Sequence, residues 1–171
     1  MRWHVIEGLV KSEGWQFGVE LGVYEGDTFK HLLTSCPGLR LVGVDLFDSD
    51  FFQSTREGRP ERTFNLEQSY EDLIHWRANH QYDAKLIRMP TIDAAELFED
   101  HSCDFVFIDA DHRYEAVDAD IDAWLSKVRK GGMIIGHDYN PQEFPGVVRA
   151  VSEWFGDDVQ LYDDHVWAHR C

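Results

Sequence analysis

The chain has 171 residues, with 16 Lys and Arg against 32 Asp and Glu, giving a formal charge of −16. That length suits one domain with room for a sizeable core, and 43% hydrophobic with 13% aromatic residues excludes a disordered acidic tail. The acidic excess works against nucleic acid and anionic membrane as partners, because phosphate contacts need Lys/Arg patches. Cys36, Cys103 and Cys171 form no ligand-spaced pair. Cys103 opens an apolar run and reads as a buried thiol, which fits a reducing, cytoplasmic compartment. No stretch approaches the ~18 apolar residues of a membrane span. The opening MRWHVIEGLVKSEG has neither an apolar core nor a cleavage site of a signal peptide.

In chain order, Trp3 to Glu13 reads as a short helix with Val5, Leu9 and Val10 on one side. Phe17 to Leu21 is a strand stopped by Gly22. Gly26, Asp27 and Thr28 open a helix that Cys36-Pro37-Gly38 ends. Leu39 to Leu46 is a second strand, Phe47 to Asn65 is irregular, and Leu66 to Asn79 is helical. Ala84 to Met89 is a third strand and Asp93 to Phe98 a short helix. Asp104 to Asp109 is an unbroken apolar strand, of the kind buried on both faces of a parallel sheet. Tyr114 to Val128 is helical, and Gly131-Gly132 turns into a fifth strand, Met133 to Ile135. A helix from Val147 to Phe155 precedes two closing strands, Val159 to Tyr162 and His165 to Ala168, joined by an Asp163-Asp164 hairpin turn.

Alternation of this kind predicts an α/β fold: a Rossmann-like, doubly wound seven-stranded sheet ending in an antiparallel hairpin. Ligands of such sheets sit outside the carboxyl ends of the strands, where the strand order reverses. The polar residues fall there: Glu20 to Gly26, Asp45 to Phe47, Pro90 to Asp93, Asp109 to Arg113 and His137 to Tyr139. Glu20-Leu21-Gly22-Val23-Tyr24-Glu25-Gly26 allows a tight turn, yet its two acids would repel a pyrophosphate. A ligand with a cationic amine and a ribose fits better, with Glu20 on the amine and Asp45 accepting from the ribose diol. Taken singly, each acid reads equally well as a loop or helix cap.

Val19 to Thr28 resembles the first motif of class I S-adenosylmethionine (SAM) methyltransferases. Phe105-Val106-Phe107-Ile108-Asp109-Ala110-Asp111-His112-Arg113-Tyr114 resembles the fourth-strand motif of their small-molecule O-methyltransferase branch, which includes catechol O-methyltransferase and sugar and macrolide O-methyltransferases. Gly131 to Tyr139 and Phe144 to Val147 are similar to later segments of that branch. The resemblance spans the chain and implies one SAM-dependent methyltransferase domain over residues 1–171. It implies SAM contacts from Glu20, Leu21, Gly22, Val23, Tyr24, Glu25, Gly26 and Thr28. It places Asp45 on the ribose, Leu46, Thr91 and Ile92 around adenine, and Asp109 near the amine.

The resemblance also implies metal ligands at Asp109, His137 and Asp138, for a divalent cation such as Mg, Mn or Zn. A histidine at this place favours Mn, Fe, Ni or Zn over Mg. The competing reading has Asp109 on the SAM amine, Asp138 as a loop cap and His137 as a near-core histidine. A hydroxyl acceptor needs its proton removed, and His112 or His137 is the expected general base, oriented by Asp109 or Asp138. The expected partner is a small molecule, with neither nucleic acid nor membrane, and the family raises a homodimer. Phe47 to Asn65, with Arg56, Arg59 and Arg62, is the expected substrate cover and points to an anionic or sugar-like acceptor. The alternatives are a SAM-binding module without catalysis and a nicotinamide oxidoreductase. A nucleic-acid methyltransferase fits poorly, since Asp138-Tyr139-Asn140-Pro141 only approximates its motif.

Overall fold

Seven strands and seven helices are present in the computed structural model, which describes residues 1–55 and 65–171. The order is α1 (Arg2–Glu13), β1 (Phe17–Leu21), α2 (Asp27–Ser35), β2 (Arg40–Asp45), α3 (Ser49–Ser54), α4 (Leu66–His80) and β3 (Ala84–Arg88). Then come α5 (Thr91–Ala95), β4 (Cys103–Ile108), α6 (Tyr114–Leu125), β5 (Val128–Gly136), α7 (Pro145–Phe155), β6 (Gln160–Leu161) and β7 (Trp167–Arg170). The sheet order is β3-β2-β1-β4-β5-β7-β6, with β1 to β5 parallel and β7 antiparallel to both neighbours.

Period-2 alternation along the strands divides the core into two layers. Phe105, Phe107, Met133, Ile135 and Leu41 face α1, α2 and α4, and pack with Ile6, Phe29, Leu32 and Leu73. Val19, Leu21, Val44, Val106, Ile108 and Ile134 face α5, α6 and α7, and pack with Ala94, Ile121, Trp124 and Val151. Burial on both sides explains why β4 carries an unbroken apolar run. Cys103 is a buried free thiol within it.

Several boundaries differ from the sequence reading: the helix read to Val128 ends at Leu125, Val128 opens β5, α7 starts at Pro145 and β6 spans only Gln160–Leu161. Four further differences have a local reason. The stretch after β2 is not wholly irregular: the Asp48 carboxylate accepts from the Asp50 and Phe51 N–H groups, both at 2.9 Å, and so starts α3. Helix α5 begins at Thr91 rather than Asp93, because Pro90 has φ −54° and its carbonyl accepts from the Ala94 N–H at 3.0 Å. Gly131-Gly132 lies inside β5 instead of turning into it: Cys103 pairs with Val128 and Phe105 with Met133, so the extra residues form a bulge. The last strand starts at Trp167, because Asp164 and His165, at φ 60° and 57°, belong to the hairpin turn. Arg56, Arg59 and Arg62 of the expected substrate cover lie outside the described residues.

Candidate active site

Strand register sets the level of the site. Leu21 pairs with Val44 on one side and Ile108 on the other, and Ile108 pairs with Gly136. Gly22, Asp45, Asp109 and His137 therefore leave the sheet at one height. Strand order reverses between β1 and β4, so the crevice opens there. A cavity of about 260 Å³ occupies it. Of the sequence-predicted cofactor residues, Gly22, Tyr24, Asp45, Leu46, Thr91, Ile92 and Asp109 line this cavity. Glu20, Leu21, Val23, Gly26 and Thr28 are buried behind the turn, and Glu25 is exposed.

The turn after β1 is fixed by its own backbone. The Gly22 N–H donates to the Val44 carbonyl at 2.9 Å. Gly22 sits at φ 85°, and an added Cβ would fall 2.3 Å from the Asp109 carbonyl oxygen. Only glycine lets β1 and β4 approach this closely at the crevice floor. Tyr24 and Phe47 both adopt positive φ, 56° and 50°, a costly choice for aromatic residues that clusters at ligand sites. Asp45 holds both in place: its two oxygens accept from the Tyr24 N–H at 2.9 Å and the Phe47 N–H at 2.6 Å. Burial pushes the Asp45 carboxyl up, and these N–H donors offset part of the rise. With the Val23 N–H as a third donor, the carboxylate keeps acceptor capacity for a further donor.

Glu20 is 2% exposed, and its Oε2 meets no hydrogen-bond donor among the described residues. Burial first, then the charges of Asp109 and Asp45, push its carboxyl well above the usual range, with Arg2 opposing. Such burial disfavours the charged carboxylate, and an approaching cation favours it. The chemistry suits an ammonium group arriving from the cavity.

Beside the cavity lies a tight ionic cluster. His112 Nε2 is 2.6 Å from Asp138 Oδ2 and 3.6 Å from Asp109 Oδ1. His137 Nδ1 is 3.3 Å from Asp138 Oδ1 and 3.5 Å from Asp109 Oδ1. The Nε2 of each ring lacks an aligned acceptor among the described residues, so charge dominates the contacts made there. Burial alone would lower both imidazoles, but Asp109 and Asp138 outweigh it and raise each to about 9. Burial works against both carboxylates in turn, yet the two imidazoles hold Asp109 and Asp138 below the usual range. Asp138 takes φ 59°, which turns its side chain back toward His112. Asp109, His137 and Asp138 offer one ligand atom each, all within 4.8 Å of one another, a set matched to a divalent cation.

With this geometry in view, the relatives of the chain are informative. Residues 19–139 match a family described as Methyltransferase domain. The chain belongs to this methyltransferase family. It is a SAM-dependent methyltransferase with the class I, Rossmann-like fold. The methyltransferase is 24% identical over 160 residues to an uncharacterized protein, R132, of Acanthamoeba polyphaga mimivirus, covering 90% of this chain and 68% of the viral one. The apo structure of CalS11, a TDP-rhamnose 3'-O-methyltransferase of calicheamicin biosynthesis, matches 99% of this chain and 78% of its own, with TM-score 0.70 and 14% identity. The S-adenosylhomocysteine-bound methyltransferase PaMTH1 of Podospora anserina matches the same shares with TM-score 0.70 and 13% identity. Among the described residues, no helix of the methyltransferase is long and apolar enough to cross a membrane.

Two residues of the methyltransferase's site escaped the sequence reading. Arg2, at the start of α1, places Nε 2.9 Å from Asp109 Oδ2, an ion pair without hydrogen-bond alignment. No local pattern signals this, because the contact joins the chain's second residue to the end of β4. Asp120 on α6 is 2% exposed, lines the cavity, and accepts from the Thr91 hydroxyl at 2.5 Å. By residue type alone it resembles the other acids of this helix, Glu115, Asp118 and Asp122. The signal that could have found it is spacing: Val117, Ile121 and Trp124 are buried, and Asp120 shares their side of the helix.

Proposed function

We propose that this methyltransferase transfers the SAM methyl group to a hydroxyl oxygen of a small molecule. The observation that carries the reading is His112, 2.6 Å from the Asp138 carboxylate and 3.6 Å from Asp109, the member of this cluster that lines the cofactor cavity. SAM supplies an electrophilic methyl on a sulfonium. The acceptor oxygen bonds to that carbon as the carbon–sulfur bond breaks, and positioning provides much of the rate. Glu20 and Asp109 take the ammonium, Asp45 the ribose diol, and Leu46, Thr91 and Ile92 enclose the adenine. His112 accepts the hydroxyl proton in its neutral form, a minority below about pH 9 that grows as pH rises, with Asp138 orienting the ring. His137 is the second candidate for this role. The orphaned Glu20 oxygen and the Asp45 carboxylate lining the cavity support SAM as the occupant.

Asp109, His137 and Asp138 fit a divalent cation, which would act as a Lewis acid toward the acceptor oxygen. The donor set favours Mn, Zn, Fe or Ni over Mg, since one ligand is an imidazole. An anionic or sugar-like acceptor is supported by Arg56, Arg59 and Arg62 in the sequence and by the TDP-sugar acceptor named for CalS11. We read residues 1–171 as one domain, since the sheet draws strands from Phe17 to Arg170. Sedimentation velocity tests the homodimer raised by the family.

Methyl transfer from labelled SAM to catechols, nucleotide sugars and hydroxy acids, with and without EDTA, tests the proposal. Product methylated at oxygen is expected, with turnover reduced in His112→Ala or His137→Ala. Full turnover in both variants on the true acceptor would refute the base assignment.

A further inference from the structure

A second group of metal-type side chains lies away from the cofactor cavity, on the outer face of α1 and α2. His4 and Glu7 stand one turn apart on α1, and His31 faces them from α2. Glu7 Oε2 is 2.7 Å from His31 Nε2 and 3.5 Å from His4 Nδ1. The two imidazoles meet edge to face, with ring centres 4.9 Å apart. One ligand atom from each of the three residues lies within 4.8 Å of the others. We propose that His4, Glu7 and His31 bind a Zn²⁺ ion that ties α1 to α2.

The donor chemistry selects the ion. Two imidazole nitrogens and one carboxylate oxygen suit zinc, whereas Mg²⁺ and Ca²⁺ prefer all-oxygen sets. Zinc with bond lengths of about 2.0–2.1 Å in a tetrahedron sets its ligand atoms about 3.3 Å apart. The His4–Glu7 separation of 3.5 Å is already there. The 2.7 Å His31–Glu7 contact is a shared proton's distance, and the ion takes that proton's place. Glu7 is prepared for the role: Lys11 Nζ donates to its other oxygen at 2.6 Å and orients the carboxylate, a supporting contact of the kind ligands need. His4 is 64% exposed, which leaves an entry route and a fourth position for water. The strongly acidic chain also draws cations toward it.

The site has a structural consequence. Arg2 lies two residues before His4 on the same helix and pairs with Asp109. Zinc at His4, Glu7 and His31 fixes the start of α1 and, with it, the Arg2 side chain. This inference does not depend on the acceptor or on a metal at Asp109, His137 and Asp138.

The test is equilibrium dialysis of ZnCl2 at pH 7.5 against the full chain after EDTA treatment. An Asp138→Asn background disables the second metal-type cluster. One bound zinc per chain is expected, with affinity at least tenfold weaker in His4→Gln and in His31→Gln. Co²⁺ in place of zinc gives visible absorption in the background protein and loses it in both variants. Melting curves without metal guard against misfolding; exposed His4 is the variant least able to disturb the core. Zinc raises the melting temperature of the background protein, but not that of the variants. Zinc binding equal in the background and in both His variants would overturn the proposal. So would no zinc bound by the background protein at 100-fold molar excess.

Discussion

Gly22→Ala probes the junction on which the cofactor reading rests. Gly22 has φ 85°, and a left-handed conformation disfavours an L side chain by about 1–2 kcal/mol. The new Cβ would also lie 2.3 Å from the Asp109 carbonyl oxygen and 2.6 Å from the Ala110 Cα. Both are backbone atoms and cannot rotate away, so β1 and β4 must part, an overpacking loss of about 1–3 kcal/mol. The total is about 2–5 kcal/mol. Gly14→Ala is the internal control: its φ is 68°, but nothing lies within 4 Å of the added carbon. It loses only the conformational part, about 1 kcal/mol. Urea unfolding of the two variants separates contact from conformation, since the midpoint shift multiplied by a common slope gives each loss. Because parting the strands moves Asp109 from Glu20 and Asp45, SAM affinity should fall at least tenfold in Gly22→Ala and stay unchanged in Gly14→Ala. Equal midpoints with wild-type SAM affinity in both would refute the reasoning.

Asp45→Asn removes a charged acceptor from the ribose position, and calorimetry should record a 10- to 150-fold weaker SAM complex, equivalent to about 1.5–3 kcal/mol. His112→Gln should lower turnover on the identified acceptor by about 10²–10⁴-fold while SAM affinity changes less than threefold. Asp120 carries a pH prediction. Burial, aided by the charge of Asp111 and opposed by the Thr91 hydroxyl, raises it to about 7. The folded state thus holds this proton more tightly than the unfolded chain. The stabilisation is complete below about pH 4 and is lost as pH rises through 7. Asp120→Asn should therefore gain on the wild type between pH 5 and pH 8, by on the order of 2–4 kcal/mol, in urea unfolding at the two pH values. A wild-type pH profile retained in the variant would rule Asp120 out as its source.

Much of the scaffold was legible because local pattern and global position agree. The β4 run from Phe105 to Ile108 is apolar throughout because both of its faces are covered. The acids at successive strand ends stood out because parallel register brings such ends to one level, as the pairing of Leu21 with Val44 and Ile108 makes explicit. What stayed hidden depends on contacts remote in sequence. Arg2 meets Asp109 only once the start of α1 reaches the end of β4. Asp120 looks like one of many helix acids until α5 covers it and Thr91 donates to it. The Gly131-Gly132 pair reads as a turn, but a bulge in β5 uses the same freedom. The closeness of His112 to Asp138 joins two loops 26 positions apart and needs the β4–β5 pairing to form.

The most direct test of the central claim is titration calorimetry of the full chain with SAM, with NAD as comparison. Glu20 is the buried acid whose Oε2 lacks a donor among the described residues, so it is the group placed to pair with the SAM ammonium. The account therefore predicts one SAM per chain, displaced by S-adenosylhomocysteine, with affinity that Glu20→Gln lowers at least tenfold. Absence of SAM binding in the millimolar range, or binding of NAD with equal affinity, would contradict it.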